Sequence, residues 1–251
     1  MAKPPESEPS TLWRVSSFDR ARDAAAAVQG WDRQTLLSTT LQAELNALER
    51  RHVATDVLEV VAACLRAREA ALIYLLYDAQ VWPVTIFPVE RIYHSPRTLS
   101  HATALEIGRL SVMRVEPAGL RPPGHAMHER VGKPNHYHRL SPGLWRLALN
   151  GPRARLLSEI GGTAAYRVLR SPASEGLSAP GAIGAAVNRL RDEPAPLKAI
   201  ARWPGMSTER AVRLVNGLYL SSALLATRAH PAARSEPRGL REMWRDSRSK
   251  R

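Results

Sequence analysis

His125, His128 and Glu129 stand close to His136 and His138. His-x-x-His followed by His-x-His supplies three or four nitrogen donors of the kind that bind zinc or a similar ion. The spacing follows no zinc-hydrolase order, and Pro122, Pro123, Gly124 and Pro134 set the donors in a loop, where no helix face aligns them. Ordinary loop histidines are the expectation, with no bound metal and no cofactor. Hydroxyl nucleophiles are abundant, yet residues 158–163 contain no nucleophile elbow and the chain has no phosphate-binding glycine loop. Gly161 and Gly162 read instead as the end of a helix. Cys64 is the only cysteine, so one chain can form neither an internal disulfide nor a cysteine zinc cage, and Cys64 reads as a small core residue. Tyr74, Tyr77, Trp82, Phe87 and Tyr93 cluster in sequence and are expected to build core, not a platform for stacked bases. The residues therefore point away from an enzyme.

Charge points elsewhere. The 251 residues carry a formal charge of +13, distributed unevenly. Residues 1–107 hold 11 Lys/Arg against 13 Asp/Glu, whereas residues 108–251 hold 25 against 10. The second half is the one suited to a polyanion. Arg outnumbers Lys, which number only four; codon bias accounts for that choice but not for the net charge. The longest apolar run, 70–77, is too short to cross a bilayer, and the acidic start of the chain lacks the pattern of a secretion signal. A cytoplasmic protein with no membrane partner is expected.

The elements that would position these groups form an α+β pattern. Residues 1–18 are rich in Pro, Ser and Glu and read as a flexible lead-in anchored weakly by Trp13 and Phe18. Residues 19–116 read as an α+β module. Within it Leu37, Leu41, Leu45 and Leu48 share a helical face over 35–51. Val57, Val61, Cys64 and Leu65 repeat the pattern over 56–68, after an aspartate suited to capping. Residues 71–77 and 81–87 form a predicted β-hairpin. Pro83 makes its second strand an edge strand or places a bulge there. A short helix near 100–108 and a strand over 110–115 follow. Residues 117–142, with five prolines, three glycines and four histidines, read as a long loop. Residues 143–181 read as two short helices, 144–149 and 153–160, and a linker over 171–181.

From Ala182 the helical period tightens. Ile183, Val187 and Leu190 form one face, and a second helix over 197–203 turns inward Leu197, Ile200 and Ala201. Pro204 and Gly205 force a turn, and Ser207 or Thr208 is placed to cap a third helix. Within 197–214 these residues resemble the helix-turn-helix family. The small Ala201 stands where two helices cross closely, Gly205 stands in the turn four residues later, Met206 follows, and Ala211 and Leu214 are apolar. The continuation through Leu218, Ala223, Leu224, Leu225 and Arg228 is similar to the end of a winged helix, giving a winged-helix-like unit over 182–230. It departs from that pattern in having Ala223 where glycine is common and no second wing strand after His230 and Pro231.

The resemblance implies a third helix over 207–220 that buries Ala211, Leu214, Val215 and Leu218. It leaves Ser207, Thr208, Glu209, Arg213 and Asn216 accessible, with Arg210 at the boundary. Arg can donate twice to guanine O6 and N7, and Asn can pair with adenine N6 and N7. The helix N-terminus and Arg228 suit phosphate. The tail, 231–251, adds Arg238, Arg241, Arg245 and Arg248 at helical spacing, of which Arg241 and Arg245 are the candidate phosphate contacts. Two readings stay open. One is a non-enzymatic DNA-binding regulator of transcription, its first half sensing a signal or forming a homodimer. The other is a bacterial signalling adaptor that uses the same unit to bind a protein partner.

Overall fold

The computed structural model describes residues 12–20 and 36–233. It divides into two compact units, residues 1–157 and 158–251. The fold is α+β, with two antiparallel sheets, one in each unit. Arg241 and Arg245, and the rest of the tail from residue 234, lie outside the described residues.

The first unit opens with β1 (Trp13–Arg14) and a helical segment over 15–20. Trp13 is exposed, but Phe18 is buried with its ring 4.7 Å from that of Tyr74. Helix α1 (Thr39–Arg50) is capped by Ser38 and buries Leu41 and Leu48. Helix α2 (Val57–Ala67) begins at Asp56, whose carboxylate accepts from the Leu58 and Glu59 amides and satisfies two otherwise unpaired donors. Its residues Val57–Cys64 are all buried, Cys64 fully, so this helix is covered well beyond the one face the periodicity marks.

Strands β2 (Ala71–Tyr77) and β3 (Gln80–Phe87) form the expected hairpin, closed by a two-residue turn in which Asp78 takes a φ of +50°. β4 (Ile92–His94), helix α3 (Ala104–Arg109), β5 (Ser111–Pro117), β6 (Tyr137–Arg139) and helix α4 (Leu140–Asn150) complete the unit. The sheet runs β5-β2-β3-β4-β6, with β1 added to β3. Alternation along the hairpin turns Ile73, Leu75, Val84 and Ile86 to one side, where they meet Val57 and Val61 of α2 and Leu140, Leu144 and Leu147 of α4. Trp82, Phe87 and Tyr93 belong to the core, while Tyr74 and Tyr77 are half-buried.

Three expectations need correction. β3 is not an edge strand and carries no bulge against β2; the irregularity lies between β2 and β5 at Tyr74/Leu75. Pro83 is tolerated because β1 pairs with β3 only at 80–81 and β4 only at 85–87, leaving that side of the strand unpaired between them. There the Pro83 carbonyl accepts from Ser95 Oγ at 3.1 Å. Second, residues 153–160 form no helix. Arg153 instead turns inward, its Nη2 donating to Glu59 Oε1 at 2.6 Å and its Nη1 to Asp56 Oδ2. Third, the loop ends sooner than composition implies, since β6 and the start of α4 fall within 117–142.

The second unit contains β7 (Ala165–Val168), helix α5 (Gly181–Asp192), β8 (Ala195–Pro196), the short helix α6 (Leu197–Ile200), helix α7 (Thr208–Leu220) and β9 (Leu224–Thr227). Its sheet runs β8-β7-β9, antiparallel throughout. β9 therefore pairs with a strand that precedes the helices. Residues 231–233 form a 3₁₀ turn, and among the described residues no hairpin follows β9. The departure noted after His230 thus has a structural counterpart: β7, which lies in the stretch read as short helices and linker, is the middle strand. Gly161 and Gly162 end no helix; Gly162, at φ +83°, lies in the turn that enters β7.

Candidate nucleic-acid interface

α6 and α7 are joined by a tight connection in which Trp203 N donates to Ile200 O and Met206 N to Trp203 O. Gly205 holds a φ of +71°, a region costly for a residue with a Cβ. A Cβ there would also lie 2.8 Å from the Ala182 methyl of α5. Position 205 thus requires glycine on two independent counts. Ser207 caps α7, its Oγ accepting from Arg210 N at 3.2 Å. The helix buries Ala211, Leu214, Val215 and Leu218 completely, as its spacing predicts.

Ser207, Thr208, Glu209 and Arg210 are exposed, and Arg213 is half-buried. The two arginines are already engaged. Arg210 Nη1 donates to Gly205 O at 2.6 Å, across the turn that precedes its own helix. Arg213 Nη2 pairs with Glu209 Oε1 at 2.8 Å, one helical turn away. Among the described residues the exposed Arg210 side chain is held only by the Gly205 carbonyl, whereas the Arg213 side chain is 28% exposed and its Nε is buried, so it is the less readily released of the two.

Asn216 is not accessible. It is fully buried, as is Val212 one turn before it, so the covered arc of α7 extends further round the helix than its leucines and valines indicate. An amide there cannot reach a base edge in this conformation, and Asn216 leaves the set of candidate readers. Arg228 is exposed but lies against backbone, its Nη2 donating to Gly161 O at 3.3 Å and to Glu159 O at 3.4 Å.

Two further cations, not among the candidates from sequence, lie on the neighbouring element: Lys198 and Arg202 are both exposed, in and just beyond α6, which packs against α7. Their spacing of four residues within the stretch read as one helix, 197–203, is the signal in the sequence, although α6 ends at Ile200. On α5, Arg189 stacks its guanidinium 4.7 Å from the Trp203 ring centroid.

The candidate donors His125, His128, His136 and His138 lie in the first unit. Among the described residues no group of three or more His, Cys, Asp and Glu side chains is arranged to hold a metal. His125 Nδ1 accepts from Met127 N at 3.1 Å, a local turn contact. His138 Nε2 lies 3.1 Å from Ser95 O, and the His136 ring meets His94, a residue far off in sequence, at 5.5 Å. β6 and the residue before it bring His138 and His136 to β4, whereas His125 and His128 lie in the preceding loop. No protein-family model, curated protein or solved structure matches the chain.

Proposed function

We propose that the chain is a non-enzymatic DNA-binding regulatory protein whose second unit is a winged-helix-like module. It docks on duplex DNA through the first half of α7, with the first unit serving to sense a signal or form a dimer. The observation that carries this reading is the asymmetry of α7. From Ala211 on its side chains are mostly sunk in the unit, and what it presents outward is its capped first turn, Ser207 to Arg210; Lys198 is exposed on α6, which packs against α7, and Arg202 is exposed in the turn just after α6. A rigidly seated helix with an exposed, polar N-terminal turn suits insertion of its end into the major groove. Arg210 is the residue best placed to read a base, exchanging the Gly205 carbonyl for guanine. Arg213 requires release from Glu209. Lys198, Arg202 and the amides of the first turn suit phosphate.

The β7-β9 face favours a second reading, as a protein-docking module. Leu169 and Leu225 are 60% and 45% exposed, and Leu225 sits opposite Arg167 in the ladder. Exposed leucines on a small sheet suit an apolar partner better than a phosphate backbone. No helix among the described residues is long and apolar enough to cross a membrane.

A footprint separates the two. Amide hydrogen exchange of the full chain, with and without a mixture of duplex fragments, is expected to slow at 198–213 and stay unchanged at 165–169 and 224–227. Duplex-induced protection confined to the two strands, or none anywhere, would contradict the DNA reading.

A further inference from the structure

The Pro-rich segment between β5 and β6 is fastened at two adjoining points. Tyr137 Oη accepts from Gly132 N at 2.8 Å and donates to Arg121 O at 2.6 Å. One phenol thereby pins both sides of the loop, and Arg121 and Val131 close it with a parallel bridge. The second point is His94, the last residue of β4, between β3 and β6. Its ring lies 4.8 Å from that of Tyr137, and Gly132 rests on the imidazole so closely that a Cβ would fall 2.5 Å from Nε2. That nitrogen is buried without a hydrogen-bond partner among the described residues.

We infer that the loop over 118–136 is a proton-operated latch, closed while His94 is neutral and released when His94 takes up a proton. The closed seat has room for a flat, uncharged ring edge against the glycine backbone. It offers no acceptor for a second N–H and no counter-ion for a cation. The groups facing His94 are Thr85 from β3, His136 and Tyr137 from the β6 side, His138 as a further charge, and Gly132 from the loop. No carboxylate is among the charges acting on it. The loop's charged residues nearest Gly132 in sequence are Arg130 and Lys133, both basic, with Glu129 further off. A proton on His94 is thus buried against backbone and beside two more histidines, and lifting Gly132 is the move that lets water reach it.

Desolvation first, and the neighbouring His136 and His138 next, hold the His94 pKa down from 6.5 to about 4. With the ring solvated in the open loop, the open-to-closed ratio rises about tenfold for each unit that the pH falls between 6.5 and about 4, about 300-fold in all. The loop carries a half-buried His125 and the exposed His128 and Glu129, so release changes how that polar stretch is presented.

The test is two-dimensional NMR of the full chain between pH 7.5 and 4.5. In the wild type the Arg121, Val131 and Gly132 amides are expected to shift together with the His94 ring protons. In His94→Gln, which cannot take the proton, they should keep their closed positions across the range. Gly132→Ala should show the open positions already at pH 7.5, and this variant decides the matter if His94→Gln does not fold. Loop amides that follow the same pH curve in His94→Gln, or that stay closed in Gly132→Ala, would overturn the latch.

Discussion

Gly205 lies against Ala182 so tightly that the turn between α6 and α7 and the start of α5 fix each other's position. Gly205→Val combines a strained positive φ with a clash, and is expected to lose about 2–4 kcal/mol of stability in urea unfolding. Gly205→Ala should lose less, and Ala182→Gly added to it should recover part of that loss by removing the methyl it meets. A Gly205→Val chain as stable as wild type would mean that this turn is not formed.

Arg153 is the largest buried charge that composition and periodicity did not single out. Its side chain is 7% exposed, and its guanidinium binds Glu59, whose side chain is 3% exposed, together with Asp56 at the head of α2. Arg153→Ala leaves an acid buried without its cation and should cost about 3–5 kcal/mol. Arg153→Met combined with Glu59→Gln removes both charges and should restore at least half of that. Equal losses in the single and double variants would show that packing, not charge pairing, sets the cost.

Asn216 separates structure from recognition. Its burial predicts that Asn216→Ala lowers stability by about 1–3 kcal/mol through lost interior contacts of a fully enclosed polar side chain. Discrimination between DNA fragments should remain as in the wild type wherever the variant is folded. A folded variant with altered discrimination would put Asn216 at the interface.

The Cys64 thiol, fully buried in α2, is pushed up from 9.0 to about 12, chiefly by desolvation. Thiolate is the reactive species. At pH 8 the folded chain should be inert to a disulfide reagent, and reaction should track global unfolding as urea is added. Rapid modification without denaturant would show that α2 opens locally.

What could be read beforehand follows from which forces leave a periodic trace. α1, α2, the β2-β3 hairpin and the apolar face of α7 announce themselves because each carries apolar residues at the regular spacing of its element, and Asp56 and Ser207 mark the starts of α2 and α7 by capping. Gly205 was legible because a tight turn restricts residue type. Arg153 with Glu59, and His94 with His136, were not, since each pair is joined only by the tertiary fold across more than 40 residues. β7 was missed for a related reason: four residues leave too short a pattern, and its partners β8 and β9 both lie downstream. Asn216 misled because a polar residue on a helix is ordinarily outward, and here the covered arc of α7 reaches it.

The central claim is that α7 and its neighbouring cations engage duplex DNA. The direct measurement is fluorescence anisotropy of the full chain with labelled genomic fragments at 0.15 M salt and above. Wild type, Arg210→Ala/Arg213→Ala and Lys198→Ala/Arg202→Ala are to be compared. The account predicts that wild type binds, that the α7 pair levels the differences between fragments, and that the α6 pair weakens all fragments alike while lowering the salt slope by about two. Absence of binding by the wild-type chain at 0.15 M salt would contradict it.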